Sequence, residues 1–223
     1  MFYTTKDLFE FEGSLAEKLL ESTHYPWEAL KELKQFIRAL IVQLPSSEYQ
    51  VIGDEIIAHK SVKIADFVSI KGPCIIGAGT ELRHGAFLRG STLIGENCVV
   101  GNSTELKNTL MLNHVQAPHF NYTGDSIFGN GSHVGAGVIC SNVKSDKSLV
   151  TVRDGNEKIE TQLKKFGAIL GDNVEVGCNS VLNPGTVVGC GARIYPLSSV
   201  RGQVPSNCIY KRQGEISEIN NTK

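Results

Sequence analysis

Two hydrophobic rhythms divide this chain. Over residues 1–47 the apolar positions keep helical spacing, and Leu30, Leu33, Ile37, Leu40 and Ile41 fall on one face. Pro26 stands at the start of that run, acids lie in its first turn, and Pro45 closes it. Thr5 or Ser14 would cap shorter helices before it. Such a helix is expected to pack on its own domain or on a neighbouring subunit, and it carries no visible chemistry.

From Ile64 the period changes to six. Ile64, Ile70, Ile76, Leu82, Leu88, Ile94, Val100, Leu106 and Leu112 follow one another at that spacing, with Gly after Ile76, Ile94 and Val100. Four residues after each of the first seven stands a small or β-branched residue: Val68, Cys74, Thr80, Ala86, Thr92, Cys98 and Thr104. A helix needs a period of 3.6 and a half-buried strand a period of 2, so neither accounts for a strict six. An aliphatic residue every sixth position predicts a mainly β chain, a hexapeptide β-helix with three hexads per 18-residue coil. The rhythm fails between Asn113 and Ile127, then resumes at Phe128, Val134 and Cys140 with its phase shifted by four. A second, charge-rich break runs from Ser141 to about Gly167, and within it Asp154-Gly155 predicts a hairpin between 150–153 and 157–159. Leu170, Val176, Leu182, Val188, Ile194 and Val200 then carry the sixes on.

These patterns predict an α-helical N-terminal region over 1–47 and a β-helix over 48–210. Loop insertions are expected at 113–127 and 141–167, and a tail at 211–223. The N-terminal helices are expected to cover one open end of the coil, and the flat repeat faces point to a homotrimer. The 23 glycines and 7% aromatics fit tight turns and thin aliphatic layers. A net charge of −1 with both signs interspersed argues against nucleic acid or an anionic membrane as partner. No apolar run reaches the ~20 residues a span requires, and no signal-peptide pattern opens the chain. Six cysteines without CxxC spacing suit a reduced, cytoplasmic setting.

Three segments carry a resemblance: Gly101-Asn102-Ser103-Thr104-Glu105-Leu106-Lys107-Asn108, Pro118-His119-Phe120-Asn121-Tyr122-Thr123-Gly124-Asp125-Ser126, and Lys165 to Asn173. With the repeat, they make residues 85–201 similar to the left-handed β-helix acyltransferases of the hexapeptide-repeat superfamily. The likeness is to the acetyltransferase half of the bifunctional enzyme that makes UDP-N-acetylglucosamine, in its archaeal-type form. No nucleotidyltransferase half accompanies it. The resemblance implies acetyl transfer from acetyl-CoA, as co-substrate, to the amine of a hexosamine 1-phosphate, with glucosamine 1-phosphate foremost and no metal. His119 matches the general base, Tyr122 a sugar-phosphate contact, and Arg89 and Lys107 the phosphate ligands. Those two stand one coil apart, which predicts that they stack on one face. Asn142 matches the residue near amine and thioester, and Ala136 the backbone N–H beside the thioester carbonyl. His133 is taken with the acceptor, and Ala136, Cys178 and Lys211 with the donor.

The sequence departs from the pattern at His133, at Val143 after Asn142, and at Lys164-Lys165 after Leu163. These changes leave the sugar open. Lys211 and Arg212 would meet the CoA phosphates or simply be solvated. Cys178 and Cys190 have no adjacent base in sequence, which favours direct transfer over an acyl-cysteine. Two other readings compete. One is a zinc enzyme like the trimeric γ-class carbonic anhydrases, using His84, His114 and His119. The other is a sugar-nucleotide-binding homologue without turnover.

Overall fold

The computed structural model describes residues 1–212 and 214–219. Its short strands stack into a left-handed parallel β-helix. Pairing partners lie one coil apart, as the sixes require: Ile76 with Ile94, Leu82 with Val100, Leu88 with Leu106. These residues point inward and make one continuous core, which also takes Cys74, Cys98 and Cys140. The small residues do a second job where they are threonine. Buried Thr80 donates its hydroxyl to the Gly95 carbonyl at 2.9 Å, so a corner carbonyl is satisfied within the prism.

The first expected loop insertion is not a loop. Residues Gln116–His119 and Tyr122–Phe128 are strands of the coil itself. The phase slips because Asn108 and Asp125 turn their corners in the left-handed region (φ 49° and 50°) and each corner is one residue shorter. Leu106 is therefore followed inward by Met111 rather than Leu112, and Thr123 by Phe128. Leu112 faces outward instead. Asn and Asp tolerate this backbone better than other side chains, which lets them tighten a corner.

Between Cys140 and Ala168 the chain leaves the coil. Phe128 pairs with Leu170, where the intervening 42 positions far exceed one coil. The predicted hairpin forms from Thr151–Asp154 and Glu157–Glu160, turning at Gly155 (φ 55°).

The N-terminal helices cover a flank, not an end. Helices α1 (Thr5–Leu8), α2 (Glu17–Glu21) and α3 (Ala29–Ile41) lie outside the coil, with a 3₁₀ turn at Pro26–Glu28 leading into α3. Asp7 accepts from the Thr4 amide at 2.7 Å, so the cap of α1 is Thr4 rather than Thr5. Leu30, Leu33 and Ile37 pack on Ile57, Ile75, Leu93, Leu110, Ile127, Ile169 and Val187, the outward residues of one prism face. That face is apolar on both sides, and the helix layer, with Val150, Val152 and Phe166 of the insertion, keeps it from water. The expected tail is also structured: Cys208–Arg212 pairs antiparallel with Glu215–Glu218 at the last coil, and residues 213 and 220–223 lie outside the described set.

Candidate active site

The polar side chains gather on a second prism face, around one carboxylate. Asn108, Asp125 and Asn142 occupy the same corner in successive coils, 17 positions apart. Buried Asp125 accepts from Asn108 Nδ2 at 3.0 Å, Asn142 Nδ2 at 2.5 Å and Lys107 Nζ at 3.1 Å. Asn108 also reaches the Leu30 carbonyl of α3 at 3.3 Å, which ties the helix layer to this corner. Asn142 Nδ2 lies 3.2 Å from Tyr122 Oη as well. The phenol has room because the residue stacked beyond Lys107 is Gly124. A Cβ there would stand 2.5 Å from Tyr122 Oη and 2.6 Å from Asn142 Nδ2.

Tyr122 lies in the middle of this face, beside Glu105 on one side and Ile139 on the other. Burial pushes its phenol above its ordinary pKa, and the nearby Asp125 and Glu105 carboxylates push the same way. Arg89 donates to Glu105 at 2.6 Å. Leu88 pairs with Leu106, so Arg89 and Lys107 do stack as expected. They are not a bare cationic clamp, however, because each holds a carboxylate. An ammonium has three donors and a guanidinium five, so both keep donors for an anion while their charges stay compensated.

His119 ends its strand one residue before the left-handed corner at Phe120 (φ 52°), and Tyr122 begins the strand beyond it. The histidine thus stands on the coil wall, not on an extruded loop. Among the described residues its exposed imidazole has no hydrogen-bond partner. Its backbone is firmly held. The amide donates to the buried Asn121 Oδ1 at 3.1 Å, and Asn121 Nδ2 donates to the Gly135 carbonyl at 2.7 Å. The Gly137 amide closes the square by donating to the His119 carbonyl at 3.1 Å. One buried amide side chain therefore fixes the histidine against the Gly135-Ala136-Gly137 turn. Ala136 takes the same coil position as His119, and Cys178 the position one coil further on. The Ala136 N–H donates no hydrogen bond among the described residues.

Other expected residues lie elsewhere. His133 faces outward on the third prism face, its Nδ1 3.3 Å from Glu175 Oε2. Lys211 sits in the C-terminal hairpin, 3.8 Å from Glu215, so an ion pair occupies the charge assigned to CoA. Within one chain His84, His114 and His119 do not converge. His114 turns a different corner (φ 61°) from the Phe120 corner, and His84 lies edge-on to Phe67 at 5.2 Å. No group of three potential metal ligands forms among the described residues. The thiols of Cys74, Cys98 and Cys140 are pushed up to about 12 by burial, which removes them as nucleophiles. Burial also raises Cys190, whose sulfur lies 3.2 Å from the Leu8 carbonyl.

Sequence reasoning missed Asp125, Asn108, Asn121 and Glu105. Asn121 bonds 14 positions on, to Gly135, while Glu105–Tyr122 and Asn108–Asp125 stand 17 apart rather than 18. That spacing reads as stacking only once the tightened corners are known.

Comparison with known proteins places this face in context. The bifunctional protein GlmU of Methanococcus vannielii is 32% identical over 86% of this chain and 46% of its own length. A bifunctional sugar-1-phosphate nucleotidylyltransferase/acetyltransferase of Sulfurisphaera tokodaii is 32% identical over 66% of this chain and 41% of its own. The chain thus spans under half the length of these relatives. Among solved structures, an acetyltransferase described as putative from Bacillus cereus covers 72% of this chain and 76% of its own, at 18% identity and a TM-score of 0.44. No helix among the described residues is long and apolar enough to cross a membrane. The family model of the GMPPB C-terminal domain matches residues 70–190, more than half of the 223. The chain therefore belongs to the GMPPB C-terminal domain family.

Proposed function

We propose that this chain is an acetyl-CoA-dependent N-acetyltransferase acting on the amine of a hexosamine 1-phosphate, with glucosamine 1-phosphate the leading acceptor. The observation that carries the reading is the polar strip on one face. Lys107, Tyr122 and Asn142 meet around Asp125, and His119 is pinned one corner away beside the Ala136 turn. The phosphate is held by the remaining donors of Arg89 and Lys107 and by the Tyr122 hydroxyl. The amine nitrogen attacks the thioester carbonyl carbon, and His119 takes the proton that the nitrogen sheds. The Ala136 N–H meets the oxyanion. The C–S bond then breaks, and CoA leaves as thiolate and recovers the proton from the imidazolium. Asn142 orients the acceptor from the opposite side. No metal takes part.

The same reading puts the donor along the corner of Ala136 and Cys178, and it favours a homotrimer. Phe67, Phe120 and Leu197 project from that corner, 82%, 61% and 79% exposed, and a neighbouring subunit would cover them. A stable monomer by light scattering would count against the trimer. Six free cysteines suit a reducing, cytoplasmic setting.

Thiol release from acetyl-CoA across a panel of hexosamine 1-phosphates tests the activity. Release is expected with glucosamine 1-phosphate, and His119→Ala is expected to lower kcat about 10²- to 10⁴-fold with an unchanged Tm. Silence across the whole panel, or full activity in His119→Ala, would sink the reading.

A further inference from the structure

We propose that the cleft beneath the insertion hairpin is a second anion site, taking the diphosphate of a phosphorylated small molecule. The cleft has a volume of about 730 Å³, and its wall includes Ser141, Lys144, Asp146, Arg153, Asn183 and Arg201. Such a volume suits a small-molecule ligand. Its charge is uneven. Lys144 lies 3.6 Å from Asp146, so that pair cancels. Arg153 and Arg201 are ion-paired to nothing among the described residues, which leaves two guanidiniums facing one space. Arg38, Arg83, Arg89 and Arg212 each hold a carboxylate, and of the arginines without one among the described residues only Arg153 and Arg201 share a cleft. Two unpaired guanidiniums match the charge and the fork geometry of a diphosphate.

The wall that carries them is closely packed. A Cβ at Gly185 (φ 82°) would meet the Thr151 carbonyl at 2.5 Å, and one at Gly202 (φ 72°) the Arg153 carbonyl at 2.7 Å. Glycine at these two corners lets the first hairpin strand lie directly on the coil, which brings the Arg153 backbone against Gly202, the residue after Arg201. The pairings of Leu106 with Thr123, Thr123 with Cys140, Cys140 with Leu182 and Leu182 with Val200 place Arg201 in the coil position of Lys107. Four coils separate them, about 19 Å at ~4.8 Å per coil. One diphosphate does not bridge that distance, so this site is separate from the Arg89–Lys107 corner. Ser141 and Asn183, which lie between, supply neutral donors.

Calorimetric titration with inorganic pyrophosphate at low salt tests the site without any acetyl transfer, so the outcome is independent of the function proposed above. Wild type is expected to bind, Lys107→Gln to keep that affinity, and the exposed double variant Arg153→Gln/Arg201→Gln to lose it roughly tenfold or more with an unchanged Tm. Binding by the double variant equal to wild type, or no saturable heat from wild type, overturns the proposal. Acetyl-CoA titrated directly is expected to bind wild type and double variant alike. A matching loss of acetyl-CoA affinity would assign the arginines to the donor and overturn a separate site.

Discussion

Two faces of the same prism share one backbone ladder and differ in almost everything else. On the covered flank the outward residues are Ile75, Leu93, Leu110, Ile127, Ile169 and Val187, all buried under the helices. On the open face they are Phe87, Glu105, Tyr122, Ile139 and Val181, and an arginine, a lysine and two asparagines join them at the edge. The hexad constrains only the inward position and the corner. Outward positions are free, so one face is apolar and covered while another stays open and polar. The sharpest way to break this contrast is a matched pair of truncations. Leu93→Ala on the flank is expected to cost about 2–5 kcal/mol, because it opens a cavity between strand and helix. Val181→Ala, 37% exposed on the open face, is expected to stay within about 0.5 kcal/mol. Denaturant unfolding measures both, and equal costs would dissolve the distinction.

A second test moves the chemistry without touching the flank. In Gly124→Ala the new methyl would fall within 2.8 Å of the Tyr122 ring carbon Cζ, besides the hydroxyl and the Asn142 amide. Those are ends of side chains, so the fold yields and the site shifts. Misplacement on this scale is expected to lower kcat/KM about 100-fold, with little change in Tm. Steady-state thiol release decides it, and wild-type kinetics in this variant would remove Tyr122 and Asn142 from the site.

The contrast also explains what was legible beforehand. Inward positions announce themselves because each must be aliphatic, and the hairpin at Asp154-Gly155 because its turn needs those residues. The covered flank is written as a doubled apolar residue in every third strand: Ile75-Ile76, Leu93-Ile94, Ile127-Phe128, Ile169-Leu170, Val187-Val188. A single six-residue period passes over the doubling, so the pattern alone assigns the helices to an end rather than to this flank. The slip at residues 106–128 reads as a loop in the sequence for a related reason. Leu112 is apolar and stands where a six-residue step lands, while the true inward residues include Thr123, which is polar and buried. His119, Tyr122 and Asn142 stand out through resemblance, whereas Asp125 does not. Nothing about an acid in a Gly-Asp turn says that three donors from the coils on either side will converge on it.

That convergence is open to a smaller and more local test. The Tyr122 phenol is raised first by burial, then by Asp125 and Glu105. A raised phenol pKa means the folded state holds the proton more tightly than the unfolded chain. Its contribution to stability is therefore complete below the unfolded value near 10 and fades as pH climbs through the folded one. Asp125→Asn removes a negative charge but keeps an oxygen for Lys107 and the asparagines. The phenol of Tyr122 is expected to shift down towards its ordinary value while staying above it, since burial persists. Ultraviolet titration of wild type against Asp125→Asn, with Tyr122→Phe to assign the signal among six tyrosines, reads the shift. An unchanged Tyr122 titration would mean that the carboxylate does not act on the open face, and that the corner is only a structural joint.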